Sequence, residues 1–131
     1  MENLSVQTGS QTEFKDITKQ IQKVVQDKGI QTGMCTVYIP HTTAGVTINE
    51  AADPAVKKDI VKELNKIVPF SDNYAHMEGN SAAHIKASLT GISVSIPIAS
   101  GKLALGTWQG IYFCEYDGPR SRKVHISILS E

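Results

Sequence analysis

The stretch from Ile111 to Leu129, "IYFCEYDGPRSRKVHISIL", reads as strand, turn, strand. Its first part is an aromatic and apolar run. Its last part alternates Val124, Ile126 and Ile128 with Lys123, His125 and Ser127. The six residues between, "DGPRSR", carry Asp, Gly, Pro and Ser, which break regular structure and close turns. Period-two alternation recurs at Ile92 to Ile98, where Ile92, Val94, Ile96 and Ile98 point one way. It recurs in "GMCTVYIP" (33–40), in "GVTINE" (45–50), and at Leu4, Val6 and Thr8. Gly9-Ser10 then offers a turn into "QTEFKDI", predicting an opening hairpin.

Two segments carry the helical period instead. Asp16 is placed to cap a helix over about 17–28, with Ile17, Ile21, Val24 and Val25 on one stripe and Gly29 just past its end. Asp53-Pro54 reads as N-cap and first position of a second helix. Its stripe is Val56, Ile60, Leu64 and Ile67, its lysines form a solvated face, and Pro69 ends it. A loop of about a dozen residues, "PFSDNYAHMEGN", follows, and loops that long in compact domains are often functional. A short helix over about 81–89 stops at Gly91. Six or seven strands in hairpin-like order with two or three helices, and no regular βαβ alternation, predict an α+β fold. We expect a compact antiparallel sheet or sandwich in a single domain over 1–131.

Composition narrows the function. With 13 Lys+Arg against 13 Asp+Glu the chain is neutral, so it has no electrostatic footprint for nucleic acid or an anionic membrane. No segment approaches the roughly 18 apolar residues of a membrane span. The N-terminus lacks a secretory pattern, and a cytoplasmic protein is the expectation. Cys35 and Cys114 each lie in an apolar run and read as small buried hydrophobes.

Chemistry concentrates in three histidines. His41 opens "HTTAGVTINE" after Pro40, His76 sits in the long loop, and His84 begins the short helix. Three imidazoles with one open position make a familiar catalytic metal set. Their spacing matches no metal motif, so they converge only if the fold brings them together; otherwise they satisfy local hydrogen bonds. His125 alternates with inward residues and points outward. Glu50 and Glu78 flank the histidine segments as candidate bases or partners of imidazoles. Asn49, Asn80 and Gln109 offer neutral groups that orient a substrate. Lys86, Lys102, Arg120 and Arg122 are the candidates for an anion, with Arg120 placed in a turn that can clamp a phosphate. The glycines at 101, 106 and 110 lack the order of a phosphate-binding P-loop.

Taken together, "HTTA" (41–44), "NE" (49–50), Asp53-Pro54, His76 after Tyr74, His84-Ile85-Lys86 and "GTWQ" (106–109) make the chain similar to the YjbQ family. Members of that family are also described as secondary thiamine-phosphate synthase enzymes. The resemblance implies a small antiparallel α+β fold and a homotrimer with sites near subunit boundaries. It also implies a weak capacity to join a hydroxymethylpyrimidine diphosphate to a thiazole phosphate, releasing diphosphate. On this view His41, His76 and His84 hold a divalent metal, while Glu50, Glu78, Asn49 and Gln109 surround the chemistry. Asn80, Lys86 and Arg120 then meet a small phosphorylated substrate. Histidine ligands favour zinc, whereas diphosphate chemistry commonly uses magnesium. A metal-dependent hydrolase of a small phosphoester or ester fits the same residues, and so does a small-ligand or metal-binding protein without turnover.

Overall fold

The structure, a computed structural model, describes residues 1–131. Its strands are β1 (Glu2–Gln7), β2 (Glu13–Asp16), β3 (Gly33–Tyr38), β4 (Ala44–Glu50), β5 (Ser93–Ala99), β6 (Lys102–Leu103), β7 (Gln109–Glu115) and β8 (Ser121–Ser130). The helices are α1 (Thr18–Lys28), α2 (Pro54–Ile67) and α3 (Ser81–Thr90). A five-stranded sheet runs in the order β1-β8-β3-β5-β6, and a three-stranded sheet in the order β2-β7-β4. Every ladder is antiparallel. The fold is α+β, and the two-residue β6 is the strand that periodicity is too coarse to find.

The apolar run of β7 has a direct cause. Ile111 and Phe113 point into the main core with Val37, Ile96, Val124 and Ile126 of the large sheet. Tyr112 and Cys114 point the other way, into a second cluster with Phe14, Ala83, Ala87 and Tyr116. A central strand covered on both faces shows no polar alternation. Each fully buried aromatic or branched side chain here contributes about 1.5–3 kcal/mol. The result is a layered body: large sheet, small sheet, then α2 and α3.

The order of pairing departs from the hairpin expectation. β7 and β8 lie in different sheets, and so do β1 and β2. The two connections cross between sheets side by side and bond to each other rather than closing hairpins. Thr8 N donates to Arg120 O at 3.0 Å, and Gly118 N donates to Gln11 O at 3.1 Å. The physical reason is that the inward faces of β7 and β8 bury best against each other across the sandwich, not beside each other in one ladder.

Local signals place the helices. Asp16 Oδ1 accepts from Thr18 N (2.9 Å) and Thr18 Oγ1 (2.6 Å) at the start of α1. Gly29 closes it at φ 65°, a left-handed conformation that glycine adopts without cost. Ile21 and Val25 bury in the main core. Asp53 Oδ1 accepts from Ala55 N at 2.9 Å and Pro54 opens α2. Ile60 and Leu64 are half-buried against the second cluster, but Ile67, expected on the same stripe, is exposed at the helix end. α3 lies close on β4, where Val46 N donates to Gly91 O at 3.0 Å. No helix is long and apolar enough to cross a membrane.

Candidate functional site

Four segments meet at one end of the sandwich. The link from β3 to β4 carries His41, Thr42 and Thr43. The loop between α2 and α3 carries His76, Glu78 and Asn80. The first turn of α3 carries His84, and the crossing from β7 to β8 carries Asp117, Arg120 and Arg122. All of these line one open, polar cleft of about 740 Å³. The fold thus brings together the three candidate histidines, Glu78, Asn80 and Arg120.

His76 and His84 stand edge to face, ring centres 5.4 Å apart. Glu78 Oε2 lies 3.9 Å from His76 Nε2. His41 is held differently. Its Nε2 accepts from the backbone N–H of Lys123 at 2.9 Å. That bond uses the lone pair, so in the neutral ring Nδ1 carries the hydrogen. Burial lowers the His41 pKa below the usual histidine value, and the guanidinium groups of Arg122 and Arg120 lower it further. Asn80 Nδ2 donates to Asp117 Oδ2 at 3.0 Å, and Arg120 Nη1 lies 3.7 Å from the same oxygen. Asn80 Oδ1 is buried and finds no protein donor.

Beneath the cleft lies a buried ion pair. Arg122 Nε donates to Glu115 Oε1 at 2.9 Å, and Arg122 Nη2 donates to Glu115 Oε2. Arg122 Nη2 also reaches Thr43 Oγ1 at 2.9 Å, and Thr8 Oγ1 donates to Glu115 Oε1 at 2.8 Å. Burial alone pushes the Glu115 carboxyl up. Hydrogen bonds from Arg122, Asp117 N and Thr8 outweigh it and hold the pKa below the usual glutamate value. The node ties β7 and β8 to Thr8, just past β1, and Thr43, just before β4, at the crossing of the two connections.

Other expected residues lie elsewhere. Lys86, expected at an anion, is fully buried on the inner face of α3. Its Nζ donates to Asn65 Oδ1 at 2.6 Å and sits 3.6 Å from the centre of the Phe70 ring. The stripe Ala82, Ala83, Lys86 and Ala87 is the buried face of α3, which is why this lysine turns inward. Glu50 and Asn49 end β4, and Gln109 pairs with Glu50 across the ladder to β7. The cleft is at the other end of β4, about 20 Å away at the rise of an extended strand. Asn49 Oδ1 accepts from Glu50 N (2.8 Å), Glu50 Oε2 accepts from Ala52 N (3.2 Å), and Gln109 Oε1 accepts from Gly106 N (2.8 Å). Within one chain these three side chains shape turns. Neither they nor Lys86 reach the histidines.

The family model described as UPF0047 protein YjbQ-like matches residues 2–131. The chain belongs to the UPF0047/YjbQ family. Its relatives in that family include UPF0047 protein YugU of Bacillus subtilis, 46% identical over 98% of both chains. A UPF0047 protein of Methanocaldococcus jannaschii is 48% identical over 96% of this chain and 91% of its own. The crystal structure of an uncharacterised YjbQ/UPF0047 protein from Clostridium acetobutylicum superposes with a TM-score of 0.97 at 53% identity, covering 98% of this chain and all of that one. A YbjQ-like protein of unknown function from Sulfolobus solfataricus superposes at 0.95 with 34% identity, covering 99% and 96%.

The family resemblance makes the three histidines a candidate metal set, and the geometry tests it. His76 and His84 are adjacent, but no three His, Cys, Asp or Glu side chains are grouped to hold one ion. His41 would have to give up the Lys123 N–H to offer Nε2 to a metal. As placed, the donors do not form a three-histidine site.

Proposed function

We propose that the chain is an enzyme acting on a small phosphorylated molecule in the His41–His76–His84 cleft. The supporting observation is the convergence of three histidines, Glu78 and Arg120 from separate segments on one polar cleft. The reaction it serves most directly is hydrolysis of a phosphoester. His76, backed by Glu78, takes the proton of an attacking water. The new P–O bond forms as the ester P–O bond breaks, and the alcohol leaves with a proton from solvent or from His84. Arg120 and the Nδ1–H of His41 face the charge that grows on the phosphoryl oxygens.

The cleft volume favours a second reading. About 740 Å³ lies in the upper part of the range for small-ligand sites. It leaves room for a hydroxymethylpyrimidine diphosphate beside a thiazole phosphate, the pair implied by the resemblance. A divalent metal, zinc by donor type or magnesium with diphosphate, stays a proposal for this cleft, and no step above runs through it. A homotrimer is likewise proposed. A neighbouring copy is the route by which Asn49, Glu50 and Gln109 can belong to a site.

The test is a phosphoester panel and a thiamine-phosphate assay on purified wild-type and His76→Ala protein, with metal analysis alongside. We expect phosphoester turnover that falls on the order of 100-fold or more in the variant. Turnover unchanged in His76→Ala overturns the assignment of the base. Coupling faster than hydrolysis selects the second reading, and binding without turnover selects a non-catalytic role. Light scattering that finds a monomer at micromolar concentration removes the trimer.

A further inference from the structure

We infer that the substrate's phosphoryl group is seated on Arg122, whose Nη1 edge forms the floor of the cleft. The inference rests on the phosphorylated-substrate reading above. It assigns the anion seat to a residue different from the exposed Arg120.

A guanidinium has five N–H bonds in a rigid plane. In Arg122 the Nε hydrogen goes to Glu115 Oε1, and the Nη2 hydrogens go to Glu115 Oε2 and to Thr43. Nη1 donates to no protein group. The side chain is only 2% exposed, yet Nη1 is not sealed in, since Asn80 Oδ1 is the one fully buried polar side-chain atom without a partner. Arg122 is among the residues lining the cleft, and we place its open Nη1 edge on that side. Two N–H bonds are therefore presented to the cleft from a group that cannot turn away.

Electrostatics agree in kind. The Arg122–Glu115 pair is neutral as a whole and pulls little on a distant anion. At contact, the phosphoryl oxygens meet the guanidinium first, because the Glu115 carboxylate lies behind it on the Nε and Nη2 side. Charge-assisted hydrogen bonds from a fixed, dry donor are the strong kind. Arg120, half-exposed and loosely paired to Asp117 at 3.7 Å, must be ordered before it contributes. The two arginines thus divide the work: Arg122 sets where phosphorus sits, and Arg120 folds over it. A phosphate ester, with several acceptor oxygens, suits this seat better than a neutral ester.

The test uses methyl phosphate as the probe, by calorimetry and by the ¹⁵N NMR signal of the Arg122 Nε–H. In wild-type protein the signal should move as methyl phosphate saturates. Arg122→Met alone strands Glu115, so the binding variant is the double substitution Glu115→Gln with Arg122→Met. We expect Kd to rise roughly tenfold or more in the double variant, and no more than about threefold in Arg120→Ala. A folded double variant that binds methyl phosphate like wild type overturns the inference. So does a saturated wild-type protein whose Arg122 signal has not moved, and that result decides the matter if the double variant does not fold. Wild-type protein that binds no methyl phosphate refutes the phosphorylated-substrate reading itself, and the two failures are thereby distinct.

Discussion

Replacing Arg122 by Met should be among the most damaging single changes in the chain, and its cost should depend on pH in an unusual direction. Glu115 is fully buried, and Arg122 is its only cationic partner. Stranding a buried carboxylate costs about 3–5 kcal/mol, out of a total stability of about 5–15 kcal/mol. At roughly 3–5 °C per kcal/mol for a domain of this size, Tm should drop by about 9–25 °C at pH 7. In wild type the Glu115 pKa is depressed in the folded state. Its contribution is therefore full above the unfolded value and is lost as pH falls through the folded one. In Arg122→Met the sign reverses. Burial dominates, the folded pKa rises, and the penalty is full at neutral pH but fades as acid protonates the carboxyl. The difference in Tm between the two proteins should narrow steadily from pH 8 to pH 4, followed by calorimetry or circular dichroism. Adding Glu115→Gln should recover most of the loss at pH 7. A cost below about 1 kcal/mol, or a gap that stays constant with pH, would refute the view of Glu115–Arg122 as a dry, mutually dependent pair.

Three smaller changes probe other parts of the fold. Gly45→Ala places a methyl group into the Gly91 carbonyl oxygen and 2.8 Å from Thr90 Oγ1, so α3 must back away from β4; we expect a loss of about 1–3 kcal/mol by urea denaturation. Asp53→Ala removes the cap on Ala55 N and should cost about 1 kcal/mol in the same assay. Lys86→Met replaces a buried cation that has no carboxylate partner, whose charged form burial disfavours; stability should stay within about 1 kcal/mol of wild type. The Kd for methyl phosphate should not change in Lys86→Met, and loss of binding there would restore this lysine to the anion site.

Much of the architecture was legible because its causes are local. Asp16, Gly29, Asp53, Pro54 and Gly91 mark helix ends by chemistry that acts within a few residues. Alternation at Ile96 and Ile98 reports a buried face directly, while Ile92, at 38% exposure, lies outside β5 and escapes the rule. Pairing was not local. The turn-forming letters at Asp117 to Arg120 say that the chain reverses, not whether the next strand returns to the same sheet. Only the match of Ile111 and Phe113 with Val124 and Ile126 across the core decides that, and it is a property of two sheets at once.

The site follows the same division. Sequence order could not say whether His41, His76 and His84 meet; the link from β3 to β4, the α2–α3 loop and the start of α3 bring them to one end of the body. Lys86 and Arg122 had signals that were available. One shares the spacing of Ala82, Ala83 and Ala87, and the other shares the parity of Val124 and Ile126, so both belong inside. An inward lysine braced by an amide and a ring is structure. An inward arginine with three hydrogens spent and two free is structure on one side and recognition on the other. The Glu115–Arg122 node fixes where two strands change sheets, and the same bonds aim Nη1 at the cleft. A change that loosens the crossing should therefore weaken anion binding in step with stability, whereas a change at His76 or Glu78, which hang from the loop above, should separate the two.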